Sequence, residues 1–169
     1  MIWKGTYSAT VSYKVNDVAL YGNQLWICLV ANVASTPTSS NTNWSKIGNT
    51  IHSCGGSFDG GGSALTAGKT VYTTVPFACT VSAWNIVADT GTATVDVWRL
   101  ATGTAIPTAA NVITGTGAGR PALASGTAIH STNLTGWSST AIAANNIIGV
   151  NLQAVATATY VNLVVECVQ

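Results

Sequence analysis

The first thing this sequence lacks is charge. Of its 169 residues, six are Lys or Arg and five are Asp or Glu, 7% of the chain, whereas an ordinary soluble domain carries about 25%. A formal net charge of +1 offers no cation cluster to neutralise a phosphate backbone, so electrostatic nucleic-acid binding is not expected. Five carboxylates spread over the whole chain also argue against a calcium site, which takes about six oxygen ligands. They argue equally against a glycosidase, which needs two carboxylates about 5 to 9.5 Å apart. Asp59, Asp89 and Asp96 lie beside turns or on a strand, and Glu166 sits in an apolar strand where Arg99 or Lys69 is its expected partner.

Long apolar runs are missing too. The longest, near Ile147 to Val155 and Tyr160 to Val168, are broken by Asn and Gln and have strand length, so no membrane insertion is expected. Met1-Ile2-Trp3-Lys4-Gly5 passes directly into polar sequence without the apolar core of a secretory signal. The four cysteines, Cys28, Cys54, Cys79 and Cys167, form no Cys-x-x-Cys pair and no zinc spacing with His52 or His130. They are expected to be small buried side chains, with a Cys79–Cys167 bridge conceivable if their strands are neighbours. The glycine clusters at 60–62 and 115–119 lack the Lys-Ser or Lys-Thr of a phosphate loop, and no Gly-x-Ser-x-Gly elbow supports a hydrolase triad on either histidine. No enzyme activity, metal or cofactor is therefore expected.

What is present is alternation. The apolar fraction of 47% is enough for a core, and it is arranged with a period of two. In Thr80 to Ala88, Val81, Ala83, Asn85 and Val87 share one face, and Ser82, Trp84, Ile86 and Ala88 the other; Ala93, Val95, Val97 and Arg99 then alternate with Thr94, Asp96, Trp98 and Leu100. With Asp89-Thr90-Gly91-Thr92 between them, the two runs predict an antiparallel hairpin. The same pattern predicts strands at 51–59, 70–75, 79–88, 92–100, 111–114, 122–125, 139–143, 147–154 and 159–168, the last two joined as a hairpin through Val155-Ala156-Thr157-Ala158. Strands at this spacing, with Gly, Pro and Asn turns and no helix, give an all-β fold of jelly-roll or sandwich type.

Residues 1–48 form a separate unit, dense in aromatics: Trp3, Tyr7, Tyr13, Tyr21, Trp26 and Trp44. The turn signals Asn16-Asp17 and Gly22-Asn23 bracket one short strand, and Leu25, Ile27 and Leu29 alternate along the next, predicting a small three-stranded meander. Asp17 reads as a turn carboxylate. Trp3-Lys4-Gly5-Thr6-Tyr7, Tyr13-Lys14-Val15-Asn16-Asp17-Val18, Tyr21-Gly22-Asn23-Gln24-Leu25-Trp26, Pro37 and Trp44 resemble the chitin-binding type 3 carbohydrate-binding modules of families 5 and 12, which also occur in phage tail proteins. Asn16 stands where that family usually has Gly, and Trp26 where it usually has Tyr. The resemblance implies a sugar-stacking platform, for which Trp3, Tyr7 and Trp44 are the candidates. The plainer alternative is that these rings pin together a module too small for an aliphatic core.

Residues 49–169 form the second unit. Phe58-Asp59-Gly60-Gly61-Gly62, Leu65 to Lys69, Val75 to Val81, Trp84, Ala88-Asp89 and Val95-Asp96-Val97-Trp98 resemble the C-terminal jelly-roll domain of phage tail-fibre and receptor-binding proteins. That resemblance implies a virion protein made in a bacterial host cytoplasm, commonly a homotrimer, that contacts other virion proteins and attaches to a host-surface glycan without catalysis. In the segment 114–137, Arg120, Asn133 and Trp137 are further carbohydrate-binding candidates, against the alternative of a plain connecting loop or trimer contact. The rival functional reading is a capsid decoration or tail adaptor protein that binds only other virion proteins.

Overall fold

The computed structural model describes residues 1–48, 50–103 and 105–169. The chain divides into two compact units, Met1–Asn49 and Thr50–Gln169. Among the described residues there is no α-helix, only one 3-10 turn at Ala109–Asn111, so the fold is all-β.

The first unit contains β1 (Ile2–Thr6), β2 (Ser12–Tyr13), β3 (Asp17–Tyr21), β4 (Gln24–Cys28), β5 (Asn32–Val33) and β6 (Trp44–Lys46). β3 and β4 form the expected hairpin around Gly22 and Asn23, whose φ values of 58° and 59° are the pair of positive angles that a two-residue turn demands. Asn16 likewise takes φ 72°, the left-handed conformation that Asn accepts better than most residues. The sheet is larger than a three-stranded meander: its order is β1-β3-β4-β6, with β2 and β5 paired separately. β1 runs parallel to β3, a pairing that leaves no local turn signal because parallel neighbours need a crossover. Tyr13, Ala19, Trp26, Cys28 and Trp44 make the core, with Tyr7 against it.

The second unit contains β7 (Ile51–Asp59), β8 (Thr70–Val75), β9 (Cys79–Ala88), β10 (Thr92–Ala101), β11 (Ala122–Leu123), β12 (Ala128–Ser131), β13 (Ala141–Ile142), β14 (Asn146–Ala156) and β15 (Tyr160–Val168). One sheet has the order β12-β9-β15-β7, with β13 also paired to β9, and the other β11-β10-β14-β8. Trp84, Ile86, Leu163 and Val165 from the first sheet and Val95, Val97, Ile148, Val150 and Leu152 from the second belong to one buried cluster. Truncating such a side chain to Ala removes about 2–5 kcal/mol.

Neither expected hairpin of this unit forms. β9 pairs with β15 and β10 with β14, so the chain changes sheet at residues 89–91 and again at 157–159. Alternation says which side chains face inward, and both arrangements satisfy it. The two sheet-changing connections are tied to each other: Asp89 accepts the backbone N–H of Thr159 and of Tyr160, both at 3.0 Å, as well as the Thr159 hydroxyl. Gly91, at φ 74°, lies so close to Ala156 and Thr157 that a Cβ would collide with the Ala156 carbonyl. β9 also breaks its own alternation. The register steps between Glu166↔Ala83 and Cys167↔Val81, making Ser82 the extra residue of a bulge, so Val81 and Trp84 are both buried although their spacing predicts opposite faces.

Two further expectations are corrected. Cys79 and Cys167, on the adjacent strands β9 and β15, form a disulfide with Cα atoms 5.6 Å apart, so two of the four cysteines are more than apolar filler. Glu166 meets neither Arg99 nor Lys69; Asn85 Nδ2 donates to its Oε1 at 2.5 Å and His130 Nε2 lies 3.6 Å away. Arg99 belongs to the other sheet, where it donates to Ser139 and to the Ala141 carbonyl.

The disulfide encloses a sequence separation of 88 residues, for which loop-closure entropy amounts to about 4–5 kcal/mol. Alkylation of the unfolded, unreduced chain should label two thiols and, after reduction, four; four before reduction would exclude the bridge. The hydrogen bond from the Thr159 side chain, then that from the Tyr160 amide, hold the Asp89 carboxyl below its ordinary value. Its stabilisation is therefore complete above the unfolded carboxylate value of about 4 and disappears as pH falls through the lower folded value. Asp89→Ala should lower the melting midpoint at pH 7, with the gap to wild type closing in acid; a gap that stays constant with pH would contradict this.

Candidate functional site

The first unit does not assemble the expected aromatic platform. Trp3 is 58% exposed and Trp44 only 4%. They sit on β1 and β6, the two edges of one sheet, three strand spacings or about 14 Å apart. Cross-strand register also separates them. Trp3 shares a row with Val18, Ile27 and Ser45, whereas Trp44 lies opposite Cys28, one position along and so on the other face. Trp44 is core: its indole N–H donates to the Ser35 carbonyl at 2.6 Å and its ring meets Tyr13 edge-on at 4.9 Å. Tyr7 is half-buried, stacked on Tyr13 at 5.5 Å and edge-on to Tyr21 and Trp44. Its hydroxyl is one of the few buried polar atoms without a partner among the described residues. Asp17 behaves as a turn carboxylate, accepting the Lys14 N–H at 2.9 Å, with Lys4 Nζ 3.5 Å away.

The second trio is brought together, but as scaffolding. Arg120 grips Asp96 with both ends of its guanidinium, Nε to Oδ1 at 2.8 Å and Nη2 to Oδ2 at 2.7 Å. Thr114 adds its hydroxyl to the same carboxylate at 3.0 Å. Asp96 is buried near the middle of β10, and a buried carboxylate requires such compensation. Trp137 donates its indole N–H to the Gly119 carbonyl at 2.8 Å, and the Asn133 carbonyl accepts the indole N–H of buried Trp84 at 3.1 Å. The Asn133 side chain closes a local turn by accepting the Thr135 amide at 2.9 Å. These bonds fasten the segments 114–121 and 131–138 to the sandwich. Arg120 and Trp137 have therefore committed the polar groups that would have met a sugar.

Other polar groups stand free of such duties. On the outer face of the β12-β9-β15-β7 sheet, Asn85, His130 and Glu166 form one cluster. Ser57, Asn162 and Tyr160 form another, with Ser57 Oγ donating to Asn162 Oδ1 at 3.0 Å and Tyr160 Oη lying 3.4 Å from Ser57 Oγ. Neither cluster stood out in the sequence, because Asn85 and Glu166 lie 81 positions apart and Ser57 and Asn162 105; the local signal is confined to Tyr160, Asn162 and Glu166 on one face of β15, interrupted by Val164. The free thiols are poor nucleophiles: burial pushes Cys54 up to about 11, and burial followed by the Asp17 charge raises Cys28.

No family model, curated protein or solved structure matches the chain.

Removing Asp96 strands a cation that is only 21% exposed. Asp96→Ala should therefore cost about 2–3 kcal/mol, read as a shift in urea midpoint. The apolar pair Asp96→Leu with Arg120→Met should recover most of it. An Asp96→Ala variant with the wild-type midpoint would show that the pair does not hold the segment down.

Proposed function

We propose that the chain is a phage virion protein of the tail-fibre or receptor-binding kind, attaching without catalysis to a host-surface glycan and working as a homotrimer. The observation that carries this reading is the strand order of the second unit. Edge β7, then β15, β9 and β12, in one sheet and β8, β14, β10 and β11 in the other, with the chain changing sheets at every connection except β10–β11 and β12–β13, is an order that two interlocked Greek keys produce in a jelly roll. This agrees with the fold that the resemblance of residues 49–169 implies. The Cys79–Cys167 bridge supports it further, since disulfides persist in oxidising surroundings such as a virion meets outside the cell. Several copies engaging together would raise weak single-site affinity by about 10² to 10⁴.

For the first unit a second reading is favoured, that of an adaptor to other virion proteins. Its aromatic rings are largely used as core, while Ile2, Val30 and Val33 are each more than half exposed, as an interface that buries apolar side chains would have them.

Attachment is tested by retention of the purified protein on immobilised lipopolysaccharide, capsular polysaccharide and chitin. At least one matrix should retain the wild type, and Trp137→Ala should be retained equally, because its indole serves the scaffold. Trp44→Ala should reduce the stability of the first unit by about 3–5 kcal/mol. Folded wild type that passes through every matrix would replace attachment with the adaptor reading for the whole chain.

A further inference from the structure

The edges of the sandwich are unequal. On one side they are short strands, β11 of two residues and β12 of four, whereas on the other they are β7 of nine and β8 of six. An edge strand leaves a row of N–H and C=O groups unpaired, and proteins ordinarily blunt a long one with Lys, Pro or a covering segment. β7, Ile-His-Ser-Cys-Gly-Gly-Ser-Phe-Asp, has neither Lys nor Pro.

Two clefts run along this side. One, of about 390 Å³, is lined by Ser57, Asp59, Lys69 and Thr70, and the other, of about 360 Å³, by Ser53, Thr73 and Asn162 around Gly55 and Gly56. Both include Ser57, and together they flank the β7 edge as a groove. From Ser53 to Asp59 it extends about 20 Å at ~3.3 Å per strand residue. Its floor is bare because packing forbids side chains: a Cβ on Gly55 would strike the Leu163 carbonyl, and one on Gly56 the Val71 side chain. Glycine within a strand commonly marks close approach of another group.

We infer that this groove between β7 and β8 is the binding site for a short neutral oligosaccharide; the inference rests on the attachment reading and locates its site. A sugar hydroxyl both donates and accepts, and the groove offers both in a row. Ser and Thr hydroxyls line it beside Val71 and Leu163, with one charge of each sign, Asp59 and Lys69, confined to one end. Asn162 uses its carbonyl to accept from Ser57 at 3.0 Å, leaving both amide N–H donors to a ligand. Tyr160, 37% exposed, brings its hydroxyl to 3.4 Å from Ser57, a further polar group beside the clefts. A peptide strand would draw on the backbone alone, whereas these side-chain groups add recognition suited to a polyol.

The test uses the full chain on a printed array of bacterial surface oligosaccharides that includes chitotriose. Asn162→Ala should weaken binding to the recognised sugar about fivefold to tenfold, the loss expected for hydrogen bonds to neutral groups. Ser57→Trp, which fills the junction from an exposed position, should abolish it, and Trp3→Ala should leave it unchanged. Melting midpoints within a few degrees of wild type establish that the groove variants fold. Binding kept by both groove variants but lost in Trp3→Ala overturns the groove and leaves attachment standing. A wild type that binds no sugar overturns both. A wild-type dimer that Ser57→Trp converts to monomer, without sugar binding, assigns the edge to strand pairing with a second copy instead.

Discussion

Each sheet of the second unit has an apolar face that only the other sheet can cover, and this mutual burial governs how the chain runs. With so few charges on the surface, the core built from Trp84, Ile86, Leu163 and Val165 against Val95, Ile148, Val150 and Leu152 is the main source of free energy. Polar interactions act as fasteners around it. Asp89 ties one sheet-changing connection to the other, Arg120 and Asp96 hold a long segment over β10, and Cys79–Cys167 joins two central strands. The Asp89 fastener lies where the chain crosses between sheets and the backbone lacks ladder partners of its own, whereas Asp96 and Cys167 act from within paired strands.

The long strands were legible in the sequence and strand neighbours were not; the strand expected at 111–114 is instead the end of a 3-10 turn and a single Trp98–Val112 bridge. β7, β8 and β9 run over the residues expected of them, and β10, β14 and β15 differ by a residue or two, since period-two alternation is a local property. Pairing is a global one. Asp89-Thr90-Gly91 suits a hairpin or an arch equally well, and the choice between them depends on whether β15 is available to sit beside β9. The bulge at Ser82 is hidden for the same reason, because it exists only relative to its partner strand. β12, with three of its four residues exposed, has no apolar alternation to betray it. β1 lies parallel to β3 without any adjoining turn.

Site residues were less legible than strands, because residue types suited to a sugar are also suited to structure. Trp44 has the right ring for stacking and is consumed by the core; Arg120 has the right donors and is consumed by a carboxylate 24 positions away. Exposure separates these cases, and exposure is a tertiary quantity. Trp3 remains open on β1, while Ser57, Asn162 and Tyr160 become neighbours only when β15 pairs with β7. Gly55 and Gly56 lie within the nine-residue strand expected at 51–59, where they leave the groove floor bare.

Whether a glycan binds the side of the sandwich where β7 and β8 are the edges is decided by nuclear magnetic resonance. Amide shifts of the labelled full chain would be followed while adding the oligosaccharide it binds. Perturbations should concentrate in Ser53 to Asp59, Lys69 to Thr73 and around Asn162, with the core amides of Ile86 and Val150 unmoved. Perturbations confined to β1 around Trp3, or to the segments holding Arg120 and Trp137, would contradict binding there.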